Sequence, residues 1–150
     1  MRLSELLTPE RIRVPLGAGD KEGVLRELVD LTLNGVGSAE EVLAAILERE
    51  RQFPTGIGYG VALPHGKTPV LANLVVAAGT TRHAVPYETI DGQPVRLFFL
   101  LAGPESLAGA HVKAISRISR LVRQETVRAR LLAAQTAQEF HRVLSEAEGG

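Results

Sequence analysis

Val95-Arg96-Leu97-Phe98-Phe99-Leu100-Leu101-Ala102 is an almost unbroken apolar run closed by Gly103 and Pro104. Too short for a core helix and bounded by helix breakers, it reads as a strand buried on both faces. Asn73 to Gly79 reads the same way. A sheet apolar on both sides needs a layer of helices on each, and helical patterns lie on either side of these runs. Asp20 caps a helix whose apolar positions Val24, Leu25, Leu28, Leu31 and Thr32 recur at three- and four-residue steps. A stop is read at Gly35 and Gly37, after which Ser38 and Glu41 form an S-x-x-E capping box. That box opens a helix with Val42, Ala45 and Ile46 on one face and Arg49 in its last turn. A later helix spans about His111 to Arg123, with Ile115, Ile118 and Val122 inward, and continues through Val127, Leu131 and Leu132 until Ala133 to Gln135. Thr136 and Glu139 repeat the capping box before Phe140, Val143 and Leu144. The hairpin-like loop Arg82 to Pro94 makes the sheet mixed. The expected fold is α/β: one domain over residues 1–150, a mixed β-sheet sandwiched by helices.

The 150 residues, 45% hydrophobic and 23% charged, match an ordinary globular domain rather than a disordered or low-complexity chain. The absence of cysteine removes disulfides, zinc–thiolate sites, iron–sulfur clusters and thiol nucleophiles. Seventeen basic residues balance seventeen acidic ones, so there is no global charge to favour a nucleic acid or an anionic membrane as partner. The start Met1 to Leu7 lacks the pattern of a signal peptide, and the apolar runs are far shorter than the ~20 residues of a spanning helix. A soluble cytoplasmic protein without membrane insertion is expected. Between His111 and Arg130 lie Lys113, Arg117, Arg120, Arg123, Arg128 and Arg130 against Glu125 alone. This run is either a solvated helix face, the commoner case, or a docking surface for an acidic or phosphorylated partner.

The most unusual segment is Thr55-Gly56-Ile57-Gly58-Tyr59-Gly60-Val61-Ala62-Leu63-Pro64-His65-Gly66-Lys67. Alternating glycines either form a tight turn needing positive φ angles or let backbone amides approach an anion. Two nucleotide motifs fail here on spacing. The dinucleotide fingerprint starting at Gly56 and the phosphate loop ending at Gly66-Lys67-Thr68 both require a glycine where Val61 stands. His65 is better placed than an isolated histidine. Pro64 fixes φ before it, Gly66 leaves its surroundings open, and a neutral imidazole offers one ring nitrogen as a nucleophile. A hydrogen bond from the other nitrogen to a carbonyl would select that tautomer. His83 and His141 carry no motif, and His65 with His111 lacks a third ligand for zinc; no metal or cofactor is expected.

This segment resembles the active-site signature of the phosphotransferase-system enzyme IIA domains of the fructose–mannitol type, a family that includes a nitrogen-regulatory branch. The resemblance runs from about Leu3 to Leu144, with Arg49-Glu50 upstream and His111 where the family has its second histidine. It implies a mixed sheet between helices, and it implies that His65 accepts a phosphoryl group from the phosphohistidine of HPr or a nitrogen-branch counterpart. In sugar branches the group then passes to a cysteine of enzyme IIB, and the lack of cysteine fits a IIA unit without a fused IIB. On this resemblance Arg49 supplies a planar charged fork to the phosphoryl oxygens, where it would otherwise be a helix-end ion-pair residue. His111 donates to the phosphoryl group or orients His65. Gly56, Gly58 and Gly60 shape the phosphoryl pocket, and Thr55 adds a hydroxyl. Tyr59 stands where many relatives have asparagine, and Phe53-Pro54 where the nitrogen branch has small residues, whereas Arg130 to Thr136 looks like that branch. Three readings stay open: a phosphocarrier for carbohydrate uptake or regulation, a regulatory protein whose binding to a target depends on phosphorylation, and a non-catalytic anion-binding module.

Overall fold

A computed structural model describes residues 2–33 and 39–149. The expected stop at Gly35 and Gly37 and the capping box opened by Ser38 lie outside the described residues. In chain order the helices are α1 (Leu3–Leu6), α2 (Lys21–Leu33), α3 (Ala39–Gln52), α4 (Ala108–Arg123), α5 (Glu125–Ala133) and α6 (Ala137–Gly149). The strands are β1 (Ile12–Arg13), β2 (Gly56–Gly58), β3 (Val61–Ala62), β4 (His65–Lys67), β5 (Val75–Val85) and β6 (Val95–Gly103).

The six strands form one mixed sheet in the order β1-β5-β6-β3-β2, with β4 also paired to β6. β5 and β6 run antiparallel, as do β2 and β3, while β1 is parallel to β5, and β3 and β4 are parallel to β6. Side chains alternate across β6. Leu97, Phe99 and Leu101 face a core shared with α4, α5 and α6, while Phe98, Leu100 and Ala102 face one shared with α2 and α3. This is the layered arrangement expected from a strand apolar on both sides.

Capping follows the local chemistry. The Asp20 carboxylate accepts the Gly23 N–H at 3.0 Å at the start of α2, and Thr136 Oγ1 accepts the Glu139 N–H at 3.1 Å at the start of α6. The Glu139 carboxylate reaches back to Gln135 N–H rather than to Thr136.

Three boundaries differ from the sequence reading, one being a break at Gln124, whose extended backbone separates α4 from α5 where one continuous helix is expected. β5 runs on to Val85, so the loop begins at Pro86 rather than Arg82; Arg82, His83 and Ala84 are exposed and carry no apolar signal, yet pairing resumes at Val85 opposite Val95 after an irregularity. α4 begins at Ala108, three residues before His111, behind a 3-10 turn over Glu105–Leu107. Gly109, in the first turn, does not interrupt it.

β3 and β4 pair with β6 in one register, Val61 opposite Leu97 and His65 opposite Leu101. They are one strand line interrupted at Leu63-Pro64, where proline has no N–H to give the ladder. The Pro64 carbonyl still accepts the Leu101 N–H at 3.0 Å. His65 therefore stands just beyond this break, beside the C-terminal half of the central strand.

Candidate active site

A glycine brings the site together. A Cβ on Gly66 would meet the Ala45 carbonyl carbon at 3.0 Å and the Ile46 nitrogen at 3.1 Å, so only glycine lets α3 lie directly on β4. The sequence reading gave Gly66 the task of leaving space for an incoming group; the space is instead filled by α3. One helical turn after Ala45, on the same face, comes Arg49. The other wall is α4, whose buried face carries His111, Ala114 and Ile118. Between them lies a cleft of about 390 Å³, and Arg49, Gln52, His65, Lys67, His111 and Val112 are among its lining residues.

His65 is half-buried in this cleft, and its Nδ1 lies 2.8 Å from the Leu63 carbonyl oxygen. A carbonyl only accepts, so Nδ1 carries the proton and Nε2 keeps its lone pair. Burial holds the His65 pKa below the usual imidazole value. The Leu63 hydrogen bond opposes that shift, and the Arg49 charge adds to it. The ring is neutral at pH 7.

The His111 ring meets His65 edge-on, centroids 5.4 Å apart with the planes at 68°. His111 is 3% exposed, and its Nε2 has no hydrogen-bond partner among the described residues. Burial first, then the neighbouring His65 and Lys67, push its pKa down to about 4, so it too is neutral. Leaving such a buried polar atom unpaired costs on the order of 1–3 kcal/mol, and a ligand in the cleft would supply the missing partner.

Arg49 is held by its own helix end: Nη1 donates to the Phe53 carbonyl at 3.0 Å, and the guanidinium lies over the Phe53 ring, 5.5 Å from its centroid. Lys67 Nζ stands 3.6 Å from Glu105. Glu48 also borders the cleft, with its carboxylate paired to Arg51 at 2.8 Å. Two cations thus share the cleft with a neutral imidazole, an arrangement suited to an anionic ligand.

The structure brings Arg49, His65 and His111 together and places Thr55, Gly56, Gly58 and Gly60 elsewhere. Gly58, Tyr59 and Gly60 all have positive φ (92°, 61° and 75°) and form the tight turn between β2 and β3. Gly56 lies under the 86–94 loop, where a Cβ would overlap Thr89 and the Glu88 carbonyl. Thr55 is buried, and its hydroxyl is engaged by Glu50 and Tyr87. The alternating glycines therefore serve the turn and close packing, one of the two readings they allowed. The sequence reading missed Lys67 and Gln52 as cleft residues. Both follow from periodicity, Lys67 two residues beyond His65 on a strand and Gln52 three beyond Arg49 on a helix.

Comparison with known proteins places this geometry in context. Residues 5–147 match the family described as the phosphoenolpyruvate-dependent sugar phosphotransferase system, EIIA 2. The chain is 37% identical over 146 residues to the nitrogen regulatory protein of Bradyrhizobium diazoefficiens, covering 97% of this chain and 95% of that one. It is also 37% identical over 149 residues to the fructose-specific EIIABC component of Bacillus subtilis, covering 97% of this chain but only 23% of that longer protein. Among solved structures, nitrogen regulatory protein IIA-Ntr from Neisseria meningitidis superimposes with a TM-score of 0.87 at 29% identity, covering 95% of this chain and 98% of that one. With the match spanning nearly all of the sheet and both helical layers, the chain belongs to the EIIA 2 family of the phosphotransferase system, whose members are phosphocarriers.

Proposed function

We propose that this protein is a phosphocarrier in which His65 Nε2 takes a phosphoryl group from the phosphohistidine of an HPr-type carrier. The observation that carries this is the Nδ1–Leu63 hydrogen bond, which leaves Nε2 as the free nucleophile in the cleft beside Arg49. The Nε2 lone pair forms the new N–P bond while the donor's N–P bond breaks, its electron pair returning to the donor imidazole. The Leu63 carbonyl stays on Nδ1–H and stabilises the positive charge of the phosphorylated ring. In such transfers the protein's task is to position the group and stabilise charge on the equatorial oxygens. Arg49 presents a guanidinium fork for two of them, Lys67 adds a second cation, and His111, whose Nε2 has no partner among the described residues, donates to a third in its Nε2–H tautomer.

The onward step goes to an enzyme IIB cysteine, as in carbohydrate uptake, or the phosphorylation state governs binding to a regulatory target. The close overlap with a nitrogen regulatory IIA favours the second outcome. Either takes place in the cytoplasm. Among the described residues no helix is long and apolar enough to cross a membrane.

The test is incubation with phosphoenolpyruvate, a phosphoenolpyruvate-dependent donor enzyme and an HPr-type carrier. The expected product gains the mass of one acid-labile phosphoryl group; no gain with sugar-branch and nitrogen-branch carriers alike would leave anion binding as the function. Discharge of the labelled protein by a IIB domain would then separate onward transfer from a regulatory role.

A further inference from the structure

Behind the cleft lies a buried polar cluster that touches none of the reacting groups. Glu50, on the last turn of α3, is 5% exposed, and Thr55 is equally buried. The hydroxyls of Thr55 and Tyr87 both donate to Glu50 Oε1, that of Tyr87 at 2.6 Å. The other carboxylate oxygen faces Lys21 Nζ at 3.1 Å, and this ammonium also lies over the Tyr87 ring, 4.4 Å from its centroid. An ionised carboxylate removed from water is tolerated only when paired and hydrogen-bonded. Here the start of α2, the end of α3, the 53–55 connection and the 86–94 loop each supply one member, so the cluster pins four segments together.

Thr55 passes that restraint to the site through its backbone. Its carbonyl accepts the Leu63 N–H at 3.0 Å, and the Leu63 carbonyl is the acceptor for His65 Nδ1. Two residues earlier, the Phe53 carbonyl holds Arg49 Nη1. Between them Pro54 fixes its own φ. The segment 53–55 thus carries the acceptor that aims Arg49 and, one hydrogen bond removed, the acceptor that fixes the His65 tautomer.

We infer that Thr55, clamped by the buried Glu50 carboxylate with Tyr87 and Lys21, is a positioning residue that holds both the His65 ring and the Arg49 fork for phosphoryl transfer. The inference rests on the phosphocarrier reading for its consequence and on this hydrogen-bond path for its mechanism. The cluster tunes orientation without contacting the phosphoryl group, so losing it alters which His65 nitrogen carries the proton as well as the rate.

Three variants test it: Thr55→Val, which removes the hydroxyl at nearly constant shape, Thr55→Ser, which keeps it, and Tyr87→Phe, which removes the second donor to the same oxygen. Each is read by ¹⁵N NMR of the His65 ring at neutral pH and by single-turnover transfer from the phosphorylated carrier. Thr55→Val is expected to lower the Nδ1–H population of His65 and slow transfer by about ten- to a hundredfold, the upper figure being the loss a misplacement of about 1 Å can cause. Thr55→Ser is expected to restore both. A folded Thr55→Val protein with wild-type ring shifts and rate would overturn the inference. Should Thr55→Val not fold, Tyr87→Phe decides, with a shift in the same direction expected and wild-type shifts and rate contradicting it. Wild-type protein that accepts no phosphoryl group would refute the phosphocarrier reading instead, while the ring shifts still decide whether Thr55 sets the tautomer.

Discussion

His65 and His111 sit with ring centroids 5.4 Å apart, both with pKa values held low, and this has a measurable cost. Between the ordinary value of 6.5 and about 4, the unfolded chain binds a proton at His111 that the folded protein excludes. Stability therefore falls as pH drops through that window, and His65 acts in the same direction. Denaturant midpoints measured from pH 7 to pH 4.5 should decline for the wild type and decline less for His111→Gln. Equal slopes would show that His111 is protonated normally in the folded protein. At the same scale, Arg49→Ala should slow single-turnover transfer by ~10² or more if the guanidinium stabilises charge in the transition state; an unchanged rate would reduce Arg49 to a residue that holds Phe53. His65 stands out by its setting between Pro64 and Gly66, whereas Arg49 and His111 are singled out by the family resemblance; the fold brings all three to one cleft. The resemblance gives the Thr55 hydroxyl to the phosphoryl pocket; in the fold it meets Glu50 and Tyr87 instead, contacts that no local pattern encodes.

At the scale of elements, the meeting of α3 and β4 makes the site. Gly66→Ala places a Cβ 3.0 Å from the α3 backbone, which cannot give way like a flexible side chain. Overpacking of this kind typically costs about 1–3 kcal/mol, and the displaced helix takes Arg49 with it. The variant should unfold at lower denaturant and transfer more slowly than its loss of stability alone explains; wild-type stability would show that α3 shifts without strain. Capping signals at Asp20 and Thr136 were readable locally and are present as hydrogen bonds. The far end of β5 was not, because Arg82, His83 and Ala84 face solvent across an irregularity in the ladder and only Val85, opposite Val95, resumes the pairing. The basic run of α4 and α5 is partly consumed within the molecule, with Arg117 paired to Glu148, Arg130 to Glu146 and Arg128 lying over Tyr59. Tyr59, whose positive φ disfavours a bulky residue, is held by that contact and by the Asp91 carboxylate on its N–H.

Across the whole molecule, one strand divides the core. Phe98 and Phe99 are both fully buried on opposite faces of β6, each anchoring a different helical layer. Phe98→Ala should destabilise the fold by ~3–5 kcal/mol, measured by chemical denaturation, and a loss near zero would mean that the α2–α3 layer does not depend on it. This double-sided burial is why the fold class was legible from the run Val95 to Ala102 alone. The order of strands was not, because β3 and β4 pair with β6 across more than thirty intervening residues, a partnership that no local pattern encodes. The central claim is that this architecture presents His65 Nε2, and not Nδ1, to the phosphoryl donor. The direct measurement is ¹⁵N NMR of the phosphorylated, histidine-labelled protein, reading phosphorus–nitrogen coupling at each ring. Coupling at Nε2 of His65, with a proton retained on Nδ1, is the predicted result; coupling at Nδ1, or at another histidine, would contradict the account.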